Sequence, residues 1–280
     1  MAKPQKSEKS YRGARSRVEP KVRAGGEDLA WVFGIHAVVG LLERFPGSVR
    51  RLLVQINRQE GRVADLIAVA QAQDIPLEFI SRHDLDKQFI DQRHQGVAAE
   101  CIALPEPSEA DLEDALARNQ SGLWLVLDEV QDPHNLGACL RTAAAAGCLG
   151  VVIPRNRSAS LTGTVRKVAS GAVELVPLYR VTNLARTLRL FQDAGVQVIG
   201  AAGSASKTLY QLELADSVAW VLGSEAEGLR RLTREHCNEL VNIPMALGVE
   251  SLNVSVAAGI CLFEAVRKMS LTGRLKIESS

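Results

Sequence analysis

The chain has 280 residues, 46% of them hydrophobic and 23% charged, with a formal net charge of +1. That is enough apolar material for one large or two ordinary packed domains, and the composition excludes collagen-like, wholly disordered and disulfide-scaffold proteins. Aromatic residues are few (six Phe, three Trp and three Tyr), which argues against a base-stacking platform for single-stranded nucleic acid, and the near-neutral total by itself argues against a nucleic-acid partner.

The total conceals an uneven distribution. Residues 1–23 carry Lys3, Lys6, Lys9, Arg12, Arg15, Arg17, Lys21 and Arg23 against Glu8 and Glu19, a net of +6 that leaves −5 on the rest of the chain. Without apolar periodicity this segment cannot offset its ordering entropy by burial, so residues 1–29 read as a basic disordered tail, either an arm drawn to phosphates or a solubilising extension. A first module follows over 30–104. Ile35, Val38, Val39 and Leu42 have helical spacing with Gly47 as a stop; Arg51–Ile56 reads as a strand; Val63, Leu66, Ile67 and Ala70 form a second helix face; Leu77–Ile80 and Val97–Ala103 are short strands. These predict a small α/β sandwich. Pro105 and Pro107 mark a linker over 105–120, with a short surface helix over Asp111–Asn119.

The second module spans 121–270, before a short tail at 271–280. Leu123–Leu127 is a continuous apolar run, typical of a strand buried on both faces. A helix follows from Pro133 and Asn135 to Ala146, then a strand at Val151–Ile153, helices at 162–170 and 182–194, strands at 196–200, 218–222 and 240–243, and a last helix over about 253–268. The alternation predicts a parallel sheet covered on both sides. Val254, Val256, Ala257, Ile260, Leu262, Phe263 and Val266 occupy almost the whole circumference of the last helix, which predicts all-round burial, with a subunit interface as one source of it. Five cysteines, an odd number with no C-x-x-C pair and no His at zinc spacing, read as free buried thiols in a reducing cytoplasm, with no metal site. No run of about 18 apolar residues suggests a membrane span, and the basic amino terminus lacks the apolar stretch of a secretory signal.

Phosphate-loop, dinucleotide and hydrolase signatures are absent. Three segments place polar groups where strands of an α/β sheet end, the usual place for ligands. In the first, Asp128 to Arg141, Asn135 sits at a helix start, where it also suits a plain N-cap. Arg141 lies among Leu, Ala and Cys and so calls for a partner or a cavity; an ordinary helix ion pair is the alternative. In the second, Val218 to Gly228, a strand ends at Gly223, which permits close backbone approach to a ligand; Glu225 follows, near a helix start expected at Gly228. In the third, Ile243-Pro244-Met245 precedes Ser251-Leu252-Asn253-Val254-Ser255, where one polar residue is expected to cap the last helix.

These three segments, in this order, resemble the three motifs of the SpoU (TrmH) branch of the SPOUT RNA 2′-O-methyltransferases over about residues 31–269. Phe33-Gly-Ile-His36-Ala, Asp132-Pro-His-Asn-Leu-Gly-Ala-Cys-Leu-Arg141 and Leu232-Thr-Arg-Glu-His-Cys237 are similar to the members that methylate a guanosine in the P-site loop of bacterial 23S rRNA. The resemblance implies a carboxyl-terminal α/β domain with a deep trefoil knot, where the periodicity alone predicts an ordinary doubly wound sheet. It also implies an amino-terminal ribosomal-protein-like RNA-binding domain, of which His94-Gln95-Gly96 is a recurrent segment. It implies S-adenosylmethionine held largely by main chain, with Gly223, Ile243 and Leu252 as contacts, and catalytic roles for Arg141, Asn135, Glu225, Ser251 and Asn253. A homodimer acting on 23S rRNA or a large-subunit precursor is expected. A tRNA 2′-O-methyltransferase of the same branch, or a non-catalytic RNA-binding assembly factor, are the alternatives.

Overall fold

The computed structural model describes residues 29–58, 61–90, 92, 94–102, 106–118, 121–224, 227–247 and 251–273. Residues 1–28 of the basic tail, the ends of the linker (105, 119 and 120) and most of the carboxyl-terminal tail therefore lie outside the described residues.

The first module runs β1 (Leu29–Phe33), α1 (Ile35–Arg44), β2 (Val49–Gln55), α2 (Arg62–Ala72), β3 (Leu77–Ile80), α3 (Arg82–Gln88) and β4 (Val97–Ile102). The four strands lie in the order β1-β4-β2-β3, antiparallel except for the β2–β3 pair. Period-two alternation divides their side chains. Leu52, Val54, Val97 and Ala99 meet Val38, Leu41, Val63 and Leu66 of α1 and α2, while Leu53 and Ala98 face Leu85 and Phe89 at and after α3. His94, expected only as part of a family segment, is buried: one ring nitrogen accepts from the Gly96 amide (3.1 Å) and the other lies 2.8 Å from an Asp86 carboxylate oxygen. Its role here is to tie the loop before β4 to α3.

The second module runs α4 (Glu109–Arg118), β5 (Gly122–Asp128), α5 (Pro133–Ala145), β6 (Gly150–Pro154), α6 (Gly163–Ala169), α7 (Ala172–Leu175), β7 (Leu178–Val181), α8 (Leu184–Asp193), β8 (Gln197–Ala201), β9 (Lys207–Thr208), β10 (Ser217–Gly223), α9 (Arg231–Glu235), β11 (Glu239–Asn242) and α10 (Val254–Leu271). Seven parallel strands lie in the order β7-β6-β5-β10-β8-β11-β9. The apolar run of β5 serves both faces. Leu123, Leu125 and Leu127 join the core under α5, α6 and α10, and Trp124 and Val126 join the core under α4 and α8. Both faces are covered, as the alternation predicts. Late strands enter between earlier ones: β10 lies between β5 and β8, and β11 between β8 and β9. Simple winding does not produce this order, and it is compatible with the knot that the resemblance implies.

The two modules meet where α1 crosses α7. Gly40 sits so close to Leu175 that a Cβ there would lie 2.3 Å from a leucine methyl carbon. The last helix differs from expectation. Val254 and Leu262 are buried, and Ala257, Ile260 and Val266 are partly so, but Val256 and Phe263 are 50% and 47% exposed. The chain itself covers one side of α10 and leaves an apolar strip on the other.

Candidate active site

The site is built at the carboxyl edge of the large sheet. Asp132, not Asn135, caps α5: its carboxylate accepts from the His134 amide at 2.8 Å, and Pro133 occupies the first helical position. Asn135 is thus inside the first turn. At the far end of the sequence, Asn253 caps α10, its side-chain carbonyl accepting from the Ser255 amide (2.9 Å) and hydroxyl (2.6 Å). That use of the carbonyl turns the Asn253 amide nitrogen outward, where it donates to the Asn135 side-chain oxygen at 3.0 Å.

Two adjoining cavities open here. The first, of about 310 Å³, is bordered by Gly223, Ile243, Ser251 and Leu252, with Leu222 and Ala257 behind them. The second, of about 380 Å³, is bordered by Glu129, Asn135 and Arg157. Ser224, Glu227 and Val254 form the wall between the two. Four of the expected site residues therefore border the first cavity and Asn135 the second, with Asn253 at their junction through its bond to Asn135. Glu225 lies outside the described residues.

Two expectations are corrected. Arg141 is exposed, has no hydrogen-bond or ion-pair partner among the described residues and borders neither cavity. It lies six residues beyond Asn135, about 120° round the helix axis. The Ala-rich stretch around it packs inward on its other sides, so no desolvation forces a partner on the guanidinium. Gly223 borders the first cavity and is also met by its own chain, which moves the expected helix start: a Cβ there would lie 2.0 Å from the Gly228 carbonyl carbon. The loop after β10 folds back, with the Gly228 amide donating to the Ser224 carbonyl at 2.9 Å, and the expected helix begins at Arg231 instead of Gly228.

The sequence patterns missed the fastening of this loop. Asp128, fully buried at the end of β5, receives two Arg230 guanidinium nitrogens at 2.6–2.8 Å and the Arg230 amide at 3.2 Å; Glu129 takes the third guanidinium nitrogen at 2.9 Å. Burial lowers the Arg230 pKa, but the hydrogen bond to Asp128 and the charges of Asp128 and Glu129 outweigh it and raise the pKa overall. A buried acid ending a strand was the available signal. Glu227, which borders both cavities, stands two residues from the predicted Glu225. Burial pushes the thiols of Cys148, Cys237 and Cys261 up to about 12 and that of Cys101 up to about 11, so these four stay protonated at neutral pH. Among the described residues no cluster suits a metal ion, and no helix is long and apolar enough to cross a membrane.

Residues 122–263 match the SpoU rRNA methylase family, and residues 31–107 match the RNA 2′-O ribose methyltransferase substrate-binding domain. The chain belongs to the SpoU rRNA methylase family. Among SpoU relatives it is 51% identical over 238 residues to the 23S rRNA (guanosine-2′-O-)-methyltransferase RlmB of Haemophilus influenzae, covering 85% of this chain and 97% of that one. It is 49% identical over 239 residues to the Escherichia coli protein of the same name, covering 85% and 98%. An AdoMet-bound rRNA methyltransferase from Sinorhizobium meliloti shares the fold, with a TM-score of 0.64 at 24% identity over 85% of this chain and 87% of that one. The three SpoU motifs, distant in sequence, are the segments that carry Asn135, Gly223 and Ser251–Asn253 to one edge of the sheet.

Proposed function

We propose that this protein transfers a methyl group from S-adenosylmethionine to the ribose 2′-OH of a guanosine in 23S rRNA. The observation that carries this is the convergence of the three motifs on two adjoining cavities in a chain about half identical to 23S rRNA guanosine methyltransferases over nearly their whole length. The first cavity fits the cofactor in size and lining. It lies at the lower end of the ~300–1,000 Å³ range of small-ligand sites. Its walls are apolar side chains (Leu222, Ile243, Leu252, Ala257) and strand-end backbone, suited to an adenosine held through main-chain groups.

When bound, the cofactor supplies a methyl group activated by a sulfonium. The protein's task is to place a ribose hydroxyl in line with it and to see the hydroxyl proton removed. Asn135, held by Asn253, orients the ribose from the second cavity, and the family resemblance gives Glu225 a share in that task. Ser251, on the rim of the first, shapes the approach. A guanidinium has five donors and no acceptor, so Arg141 does not serve as a base. We assign it to a substrate phosphate or the developing alkoxide, with the proton leaving to phosphate or water.

The exposed strip of α10 supports a homodimer. Val256, Ile260 and Phe263 recur at helical spacing on one face, and α10 packs on α5 with Gly259 beside Thr142, next to Arg141. Pairing through this strip buries the apolar face and brings Arg141 to the interface. The reducing chemistry expected of free cysteines and an rRNA substrate both suit the cytoplasm. Incubating the protein with S-adenosylmethionine and, in parallel, a 23S rRNA fragment and tRNA, then mapping 2′-O-methylation, tests the activity. One methylated guanosine is the expected result; methylation confined to tRNA, or none, overturns it.

A further inference from the structure

The second cavity does not end at Asn135. It shares Glu129 and Arg157 with a third, of about 570 Å³, which runs along the carboxyl ends of β6 and β7 to the start of α9. Asn156, Asn183, Arg230 and Arg231 supply polar groups to its walls, and Pro154, Leu184 and Leu232 supply apolar ones. We infer that this groove holds the RNA strand adjoining the target nucleotide, with Arg157 and Arg231 as its phosphate contacts; the inference rests on the reading of the chain as an RNA 2′-O-methyltransferase.

Three observations support it. The groove adjoins the cavity bordered by Asn135, the two sharing Glu129 and Arg157, so a strand whose ribose lies there has its neighbour beside this groove. Its guanidinium groups differ in availability. Arg230 is committed to Asp128 and Glu129. Arg157 is 71% exposed, and its contact with Glu129 is long, at 3.5 Å; it stands in left-handed backbone (φ +57°) at the rim shared by the two cavities. Arg231 is 77% exposed and engaged with Glu235 one turn along the same helix, a solvent-exposed pair readily exchanged for phosphate. Among the described residues the groove wall carries no aromatic ring. Its chemistry is therefore that of backbone contact, with guanidinium for phosphate and the Asn156 amide for sugar or base edges, in place of stacking.

The test uses the full-length protein, Arg157→Gln, Arg231→Gln and the double variant. Binding of a 23S rRNA fragment is measured across a salt series, alongside steady-state methyl transfer and S-adenosylmethionine affinity. Each substitution is expected to weaken RNA binding several-fold at low salt, to lower the slope of log binding constant against log salt by about 0.7–0.9 per lost phosphate contact, and to raise KM for RNA with kcat kept within about twofold. Cofactor affinity and melting temperature stay at wild-type values, as both side chains are largely exposed. An unchanged salt slope and KM in the double variant overturns the groove. Binding decides this separately from catalysis: wild-type protein that binds the fragment but transfers no methyl group overturns the proposed function, while the salt slopes still decide the groove.

Discussion

The side-chain amide of Asn253 donates to the side-chain oxygen of Asn135 at 3.0 Å, across 118 residues of chain. The same Asn253 caps α10 through its carbonyl, so one residue both starts the last helix and fixes the orientation of a polar group in the second cavity. Two substitutions separate these roles. Asn253→Ala loses cap and bridge and is expected to cost about 1–2 kcal/mol. Asn253→Ser keeps a capping oxygen but cannot reach Asn135; it recovers most of that stability and not the methyl transfer. Chemical denaturation with a methylation assay distinguishes the two, and full activity in the Ser variant would show the bridge to be incidental.

Arg141→Ala is expected to fold with stability within about 0.5 kcal/mol of wild type, since the side chain is exposed and unpaired among the described residues. Cofactor affinity is retained and methyl transfer falls by about 10²-fold or more. Near-wild-type turnover would remove Arg141 from the mechanism.

Gly223→Ala places a methyl group 2.0 Å from the Gly228 carbonyl carbon, a backbone contact with no flexible atom to move aside. The returning loop must shift, at a cost of about 1–3 kcal/mol or more, and cofactor affinity falls with it. Calorimetric titration with S-adenosylmethionine and a melting curve read both effects. Unchanged binding would mean that the loop does not shape the first cavity.

Glu174, in the helix packed against α1, has its carboxyl pKa raised by burial, which prevails over Arg166 at 3.2 Å. An acid whose folded-state pKa is raised contributes stability that is fully present below its unfolded value, about 4.3, and is lost as pH rises through the folded value. Glu174→Gln is therefore expected to gain on wild type in melting temperature as pH rises from about 4 to 7. A difference independent of pH would refute this.

Phe263→Glu adds a charge to the exposed strip of α10 without entering the chain's own core. The protein is expected to remain folded and to shift from dimer to monomer in light scattering, with methyl transfer reduced in parallel. A monomeric wild-type protein would refute the assignment.

Elements with strong periodicity were legible in the sequence. The run Leu123–Leu127 marked β5, and the helix from Pro133 ends within a residue of its expected limit. α3 and β7 were not, because each is short and mixes polar with apolar residues, and β1 was not, because five apolar residues directly before a helical pattern carry no alternation to mark a strand. Strand order was out of reach, since a parallel strand's apolar run is the same wherever it sits in the sheet. The site was legible as three segments but not as an arrangement. The cap at Asp132, the partner of Asn253 and the salt bridge from Asp128 to Arg230 depend on side chains that only the fold brings together. The exposure of Arg141 was missed because its apolar neighbours were read as surrounding it, when α5 turns them to one side.

The entry of β10 between β5 and β8, and of β11 between β8 and β9, has a consequence for synthesis. The first cavity takes its walls from the ends of those late strands and from the chain leading into α10. A nascent polypeptide halted between β4 and α10 has its first module but no first cavity, so methyl transfer has to wait for α10 to be made.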